Sequence, residues 1–248
     1  MEQSQRRQFL KIASLISVGS LLPAVTFGSA RKSIPQGLRL LFQGDSITDA
    51  GRNRGNYYAN NGSGLGSGYA YQIAAELLGS NPDKSMMIYN RGISGHKVFQ
   101  LANRWEDDCI QLKPDVLSML IGVNDFWHTL TNGYGGTPEL FESDLRNLID
   151  RTLKSNAGLK LIFGEPFAVS GGSAISKNWY PEFHKYQNSV KNIAQDFGAI
   201  FLPYQSAFDE ALKVAPVSYW CPDGVHPSIA GSHLMKSVWL NGFKKIYS

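Results

Sequence analysis

From Leu38 onward the chain alternates short apolar runs with longer amphipathic ones, and this alternation restricts the folds open to it more than any other feature. The short runs are Leu38 to Gln43, Met86 to Asn90, Val116 to Ile121, Leu159 to Phe163 and Ala199 to Leu202. Each has strand length and is almost continuously apolar, the pattern of strands covered on both faces. Helical patterns lie at Tyr69 to Leu78, Val98 to Leu112, Glu139 to Ser155, Glu182 to Phe197 and Ser228 to Tyr247. Strands separated by helices must run the same way, so five βα units in series predict a parallel, doubly wound α/β sheet. Pro181 and Pro227 fit first-turn positions of the last two helices, and Gly79 and Gly158 fit the punctuation after theirs. The stretch Gly51 to Gly68, rich in glycine and asparagine, reads as a long loop that either walls a pocket or an intersubunit contact or is a flexible insertion with no task.

The first thirty residues are of another kind. Arg6-Arg7-Gln8-Phe9-Leu10-Lys11 precedes a mildly apolar stretch, Ile12 to Phe27, which ends in Gly28-Ser29-Ala30. A charged segment, a short apolar one and a small-x-small cleavage site describe an export signal, to which the paired arginines give twin-arginine character. Ser14, Ser17, Gly19 and Ser20 interrupt the apolar stretch. It is shorter than the about 18 residues that a bilayer span needs, which favours cleavage over anchoring. Residues 1–30 are therefore set aside, and residues 31–248 are expected to form one domain, exported to a bacterial periplasm without a membrane span.

Charge excludes one class of partner. The formal net charge of +4 falls once residues 1–30 are removed, leaving 21 basic and 19 acidic residues, and Lys244-Lys245 is too short to track a nucleic-acid backbone. Cys109 and Cys221 are the only cysteines. An exported protein could pair them, although the helical setting of Cys109 favours a buried thiol.

In an open parallel sheet, ligands bind beyond the carboxyl ends of the strands. Three polar clusters fall there: Gly44-Asp45-Ser46 after the first strand, Asn90-Arg91-Gly92-Ile93-Ser94-Gly95 after the second, and Gly122-Val123-Asn124-Asp125 after the third. A fourth, Asp223-Gly224-Val225-His226-Pro227, precedes the last helix. A spacing of three residues in a turn lets the Asp223 carboxylate hold one imidazole nitrogen of His226 while the other faces a nucleophile. Ser46 would then attack an acyl carbonyl and form an acyl-enzyme. The oxyanion would face the Asn124 amide and the backbone N–H groups of Gly95 and Ser46, each such donor being worth roughly 3 to 4 kcal/mol of barrier. Singly, Gly-Asp-Ser is more often a turn and Asp-x-x-His more often the start of a capped helix. The four together, in this order, are hard to obtain by accident.

These segments resemble the SGNH/GDSL hydrolase superfamily, whose pattern GDS, NxGxSG, GxND and DxxH is met without a gap over essentially the whole chain after residue 30. The resemblance implies a three-layer α/β/α sandwich around a five-stranded parallel sheet of flavodoxin-like type. It also implies Ser46 as nucleophile, Gly95 and Asn124 as oxyanion donors, and Asp223 and His226 as acid and base. GDSITDAGR, GSGYAYQIAAEL, NRGISGHKVFQLANRWEDD and IGVNDFWH are similar to bacterial carbohydrate esterases that deacetylate xylo-oligosaccharides. The G-x-S-x-G elbow of another hydrolase class is absent, since Thr48 stands where its last glycine would be.

The remaining polar and aromatic residues sort by position. Asp45 should point away from Ser46 and serve structure, yet its place beside the nucleophile groups it with Trp127 and Trp220 as candidate substrate-binding residues. Asp125 is expected to brace the Asn124 loop and Trp105 to lie in the core. The remaining histidines, His96, His128, His184 and His233, lack metal-ligand spacing, and the constellation needs neither metal nor cofactor. The leading expectation is an esterase that removes acetyl groups from plant-type oligosaccharides. A lysophospholipase or arylesterase with the same triad, and a non-catalytic glycan-binding module, are the alternatives. Families of this kind include both monomers and homo-oligomers.

Overall fold

The computed structural model describes residues 33–247, so the expected export signal lies outside the described residues. Five strands form one parallel sheet: β1 (Arg39–Gly44), β2 (Met87–Asn90), β3 (Val116–Leu120), β4 (Lys160–Gly164) and β5 (Ile200–Leu202), in the order β2-β1-β3-β4-β5. The register aligns Leu41 with Leu117 and Leu117 with Leu161. All of β3 is buried, as are Leu40, Leu41 and Phe42 of β1, which is why these strands read as continuous apolar runs.

Helices α1 (Ser46–Asp49), α2 (Gly62–Leu65), α3 (Tyr69–Ser80), α4 (Val98–Asn103), α5 (Val123–Thr131), α6 (Pro138–Ser155), α7 (Phe183–Asp196), α8 (Tyr204–Ala211), α9 (Val217–Trp220) and α10 (Ile229–Lys244) complete the chain. Helices α3, α8 and α10 pack together, and α4, α6 and α7 form a second group. With the sheet between them they build the expected three layers. Two buried tryptophans bond across the packing: Trp239 Nε1 donates to Ser118 Oγ at 2.8 Å, and Trp105 Nε1 to Thr152 Oγ1 at 2.8 Å. Among the described residues no helix is long and apolar enough to cross a membrane.

Several local expectations change. The helix expected from Val98 to Leu112 ends at Asn103 and gives way to a π-helical turn, Glu106–Ile110. This turn sets Asp108 between Arg91 and Arg104, and its carbonyl accepts from Gln43 Nε2. Pro227 is not in a first turn: Ser228 is the N-cap of α10, its hydroxyl accepting from Gly231 N at 3.1 Å, and Pro227 precedes it. Pro181 likewise lies before α7. Gly79 is inside α3, whose end is held instead by Asn81, donating from Nδ2 to Leu77 O at 2.9 Å. The loop Gly51 to Gly68 contains the one-turn helix α2, capped by Asn61.

The sheet order reverses direction between β1 and β3. The segments leaving these two strands therefore diverge to opposite sides, and the crevice between them opens at their carboxyl ends. Ser46 and Asn124 lie just beyond those ends.

Candidate active site

Ser46 is the first residue of α1, directly beyond β1. Asp45 is that helix's N-cap, its Oδ1 accepting from Ile47 N at 3.0 Å, which turns the carboxylate back into the protein. Asp45 is 0% exposed, so the expectation that it touches substrate is corrected: no part of it reaches a ligand. Burial lifts its pKa to about 7. Thr48, standing where an elbow glycine would be, uses its hydroxyl to bond Tyr69 OH at 2.9 Å.

The structure brings the fourth cluster onto the first. Ser46 Oγ and His226 Nε2 are 2.8 Å apart, and His226 Nδ1 and Asp223 Oδ2 are 2.6 Å apart. The other Asp223 oxygen accepts from the backbone N–H groups of Val225 and His226 at 2.8 and 2.7 Å. Burial works against the Asp223 charge, but the bonds from the His226 ring and these N–H groups outweigh it, holding the carboxyl down at about 2. In return the Asp223 bond raises the His226 pKa above its ordinary value. The turn needs Gly224, whose φ is +88° and where a Cβ would strike Ile175 and Val169 O. The long β4–α7 connection grips this turn, Val169 N donating to Gly224 O and Ala174 N to Asp223 O. Nothing in the composition of that connection announces the task.

The second and third clusters meet each other as well. Asn124 is buried at the start of α5, and one of its amide protons goes to His96 O at 3.3 Å, next to Gly95. An amide carries two donors, so one remains. Asp125, expected to brace the Asn124 loop, accepts at Oδ1 from Val98 N at 3.1 Å and so ties the start of α5 to α4, and burial lifts its pKa to about 7. His96 is pushed down to about 4, by burial first and then by the Arg104 charge, so its ring stays neutral.

Of the tryptophans, Trp127 is half-buried with its ring 6.3 Å from the His226 ring. Trp220 is committed elsewhere, its indole N–H donating to Ala211 O at 3.0 Å at the end of α8. Trp105 is 0% exposed in the core. Cys109 and Cys221 are both buried and unpaired, and burial pushes both thiols up to about 12.

A cavity of about 370 Å³ opens over Ser46 and His226, walled by Gly51 and Gly68 from the two ends of the long loop and by Ser94. It lies at the small end of the roughly 300–1,000 Å³ usual for small-molecule sites. A larger hollow of about 450 Å³ sits by Pro114 and Leu159, at the amino ends of β3 and β4. It lies at the opposite end of the strands from Ser46, and burial holds its Cys109 thiol protonated. Ser94, in the second polar cluster, and Asp49, in the GDSITDAGR string, carry no sequence signal that gives either a task of its own. Among the described residues no cluster of His, Cys, Asp or Glu could hold a metal ion.

The pattern for the GDSL-like Lipase/Acylhydrolase family matches residues 42–234. An acetylxylan esterase of Geobacillus stearothermophilus is 34% identical over 221 residues, which is 87% of this chain and 99% of that protein. A solved structure described as a GDSL-like lipase from Parabacteroides merdae is 46% identical with a TM-score of 0.83, covering 86% of this chain and 98% of that one. The crystal structure of Axe2, an acetylxylan esterase from Geobacillus stearothermophilus, is 33% identical with a TM-score of 0.76, covering 84% and 95%.

Proposed function

From the premise that the chain belongs to the GDSL-like lipase/acylhydrolase family, we propose that Ser46, His226 and Asp223 are the catalytic triad of a serine esterase that deacetylates xylo-oligosaccharides. The observation that carries this reading is the unbroken relay from Ser46 Oγ to His226 Nε2 at 2.8 Å and from His226 Nδ1 to Asp223 Oδ2 at 2.6 Å. Catalytic mutants of Axe2 replace a serine and an aspartate by alanine, in keeping with these assignments.

His226 Nε2 takes the Ser46 proton as Oγ attacks the acetyl carbonyl. Negative charge then develops on the carbonyl oxygen, facing Ser46 N–H, Gly95 N–H and the free proton of the Asn124 amide. Asp223 stabilises the imidazolium and fixes its tautomer. His226 passes its proton to the departing sugar oxygen, the C–O ester bond breaks and the acetyl group stays on Ser46. A water activated by the same imidazole releases acetate.

The cavity is small, its serine and glycine wall shared with Ile47, Ala50 and Ile229, and its size suits a short acyl group. Beyond Ser228 and Ile229 it runs into an open hollow beside the exposed Tyr219 ring, where further sugar units can lie. Trp127, against His226, is the aromatic surface for the acetylated ring. Ser46→Ala should abolish release of acetate from acetylated xylo-oligosaccharide without unfolding the protein. A lysophospholipid hydrolysed faster than that substrate would overturn the substrate class.

Export by a twin-arginine route is part of the proposal and rests on Arg6-Arg7 and the apolar stretch after them. Replacing both arginines by lysine should retain the protein in the bacterial cytoplasm, and unchanged periplasmic recovery would contradict it.

A further inference from the structure

The triad and oxyanion donors leave Asp49 of the GDSITDAGR string without a role, yet its carboxylate is the most heavily used in the site. Its Oδ2 accepts from Ser94 N at 2.9 Å, Ser94 Oγ at 2.9 Å and Arg54 Nη2 at 2.6 Å, while Oδ1 accepts from Arg52 N at 3.2 Å. The side chain is 3% exposed, so no substrate touches it. Asp49 closes the same single-turn helix that Ser46 opens, and Ser94 adjoins Gly95. One carboxylate thus joins the nucleophile's helix to the loop carrying an oxyanion donor.

The surroundings leave this joint little slack. Ile93 N donates to Gly44 O at 3.1 Å, and Gly92 lies so close to α1 that a Cβ there would press on Asp49 N at 2.5 Å. Burial alone would raise the Asp49 pKa, but the Arg54 and Ser94 bonds outweigh it and keep the carboxylate charged. Arg54 is half exposed, its guanidinium pairing with Asp49 at 2.6 Å.

We infer that Asp49 is a positioning residue that sets the distance between the Ser46 hydroxyl and the Gly95 N–H through Ser94, a role that rests on the esterase reading above. An oxyanion donor is effective only where the developing charge will be, so a small displacement costs rate with little cost to ground-state binding. Asparagine cannot replace aspartate here. It has one acceptor oxygen, and its NH₂ would face either the Ser94 N–H and the Arg54 guanidinium or the Arg52 N–H, groups that can only donate.

The test uses a small activated acetate ester with wild type, Ser46→Ala, Asp49→Asn, Ser94→Ala and the double variant Asp49→Asn/Ser94→Ala. For Asp49→Asn we expect kcat to fall roughly 10- to 100-fold with KM nearly unchanged and the acidic limb set by His226 unmoved. Ser94→Ala, which keeps the backbone bond, should lose several-fold less. The double variant should be no slower than Asp49→Asn alone, because the serine hydroxyl acts through that carboxylate. A kcat within about twofold of wild type for Asp49→Asn, a rise in KM matching the loss, or multiplicative losses in the double variant would overturn the inference. Should Asp49→Asn fail to fold, Ser94→Ala decides: kcat close to wild type overturns it. Turnover surviving in Ser46→Ala would instead contradict the esterase mechanism itself, which separates the two failures.

Discussion

At the scale of the residue, the chemistry depends on two pKa displacements in opposite senses. Asp223 is held down at about 2 and His226 is raised by its bond to Asp223. The base works only when neutral, so activity should be present at higher pH and decline as pH falls through a value above the ordinary 6.5 of imidazole. In Asp223→Asn the carboxylate no longer favours the imidazolium. The acidic limb of kcat/KM should move to lower pH, and kcat itself should drop by roughly 10⁴-fold. A pH profile of this variant checks both, and an unmoved limb would assign the acid elsewhere. Trp127→Ala should raise KM for acetylated xylo-oligosaccharide while leaving a small activated acetate almost unaffected. Steady-state kinetics on the pair of substrates reads this out, and an equal effect on both would return Trp127 to packing.

At the scale of the element, His226, the base of the proposed triad, is held by the start of a helix. Ser228 caps α10 two residues after His226. Ser228→Ala should cost about 1 kcal/mol of stability, measurable by denaturant unfolding, and no change would mean that Pro227 and the packing of α10 suffice. This is also where sequence and structure part. The five strands were legible within a residue or two because burial on both faces leaves a nearly pure apolar run, as in Val116 to Leu120. The β4–α7 connection was not, because its work is done by backbone groups such as Val169 N and Ala174 N, which any residue but proline supplies. The short helix α1 was hidden for a similar reason: Asp45-Ser46 reads equally as a turn until its cap is seen. Order and spacing single out Ser46, Gly95, Asn124, Asp223 and His226, and the structure brings the side chains of Ser46, His226 and Asp223 together. The link through Asp49 and Ser94 could not be read from them, since it joins positions 45 residues apart.

At the scale of the whole molecule, the site is bought with two carboxylates buried beneath it. Asp45 and Asp125 each rise from 3.8 to about 7 on burial. An acid whose pKa is raised by folding binds its proton more tightly in the folded state. Its contribution is therefore complete below 3.8, declines as pH rises toward about 7, and is flat above that. Asp125→Asn keeps the acceptor for Val98 N but cannot ionise. Its stability relative to wild type should rise between about pH 4 and about pH 7, and parallel Tm curves for the two proteins would refute the burial argument. The central claim, that chain segments 180 residues apart meet to make Ser46 a nucleophile through His226, has a more direct test. Wild type is treated with an activated phosphonate ester and the modified peptide is identified by mass spectrometry, with His226→Ala in parallel. We expect one label per chain, on Ser46, and almost none in the variant; label on another residue, or equal labelling of Ser46 in both proteins, would contradict it.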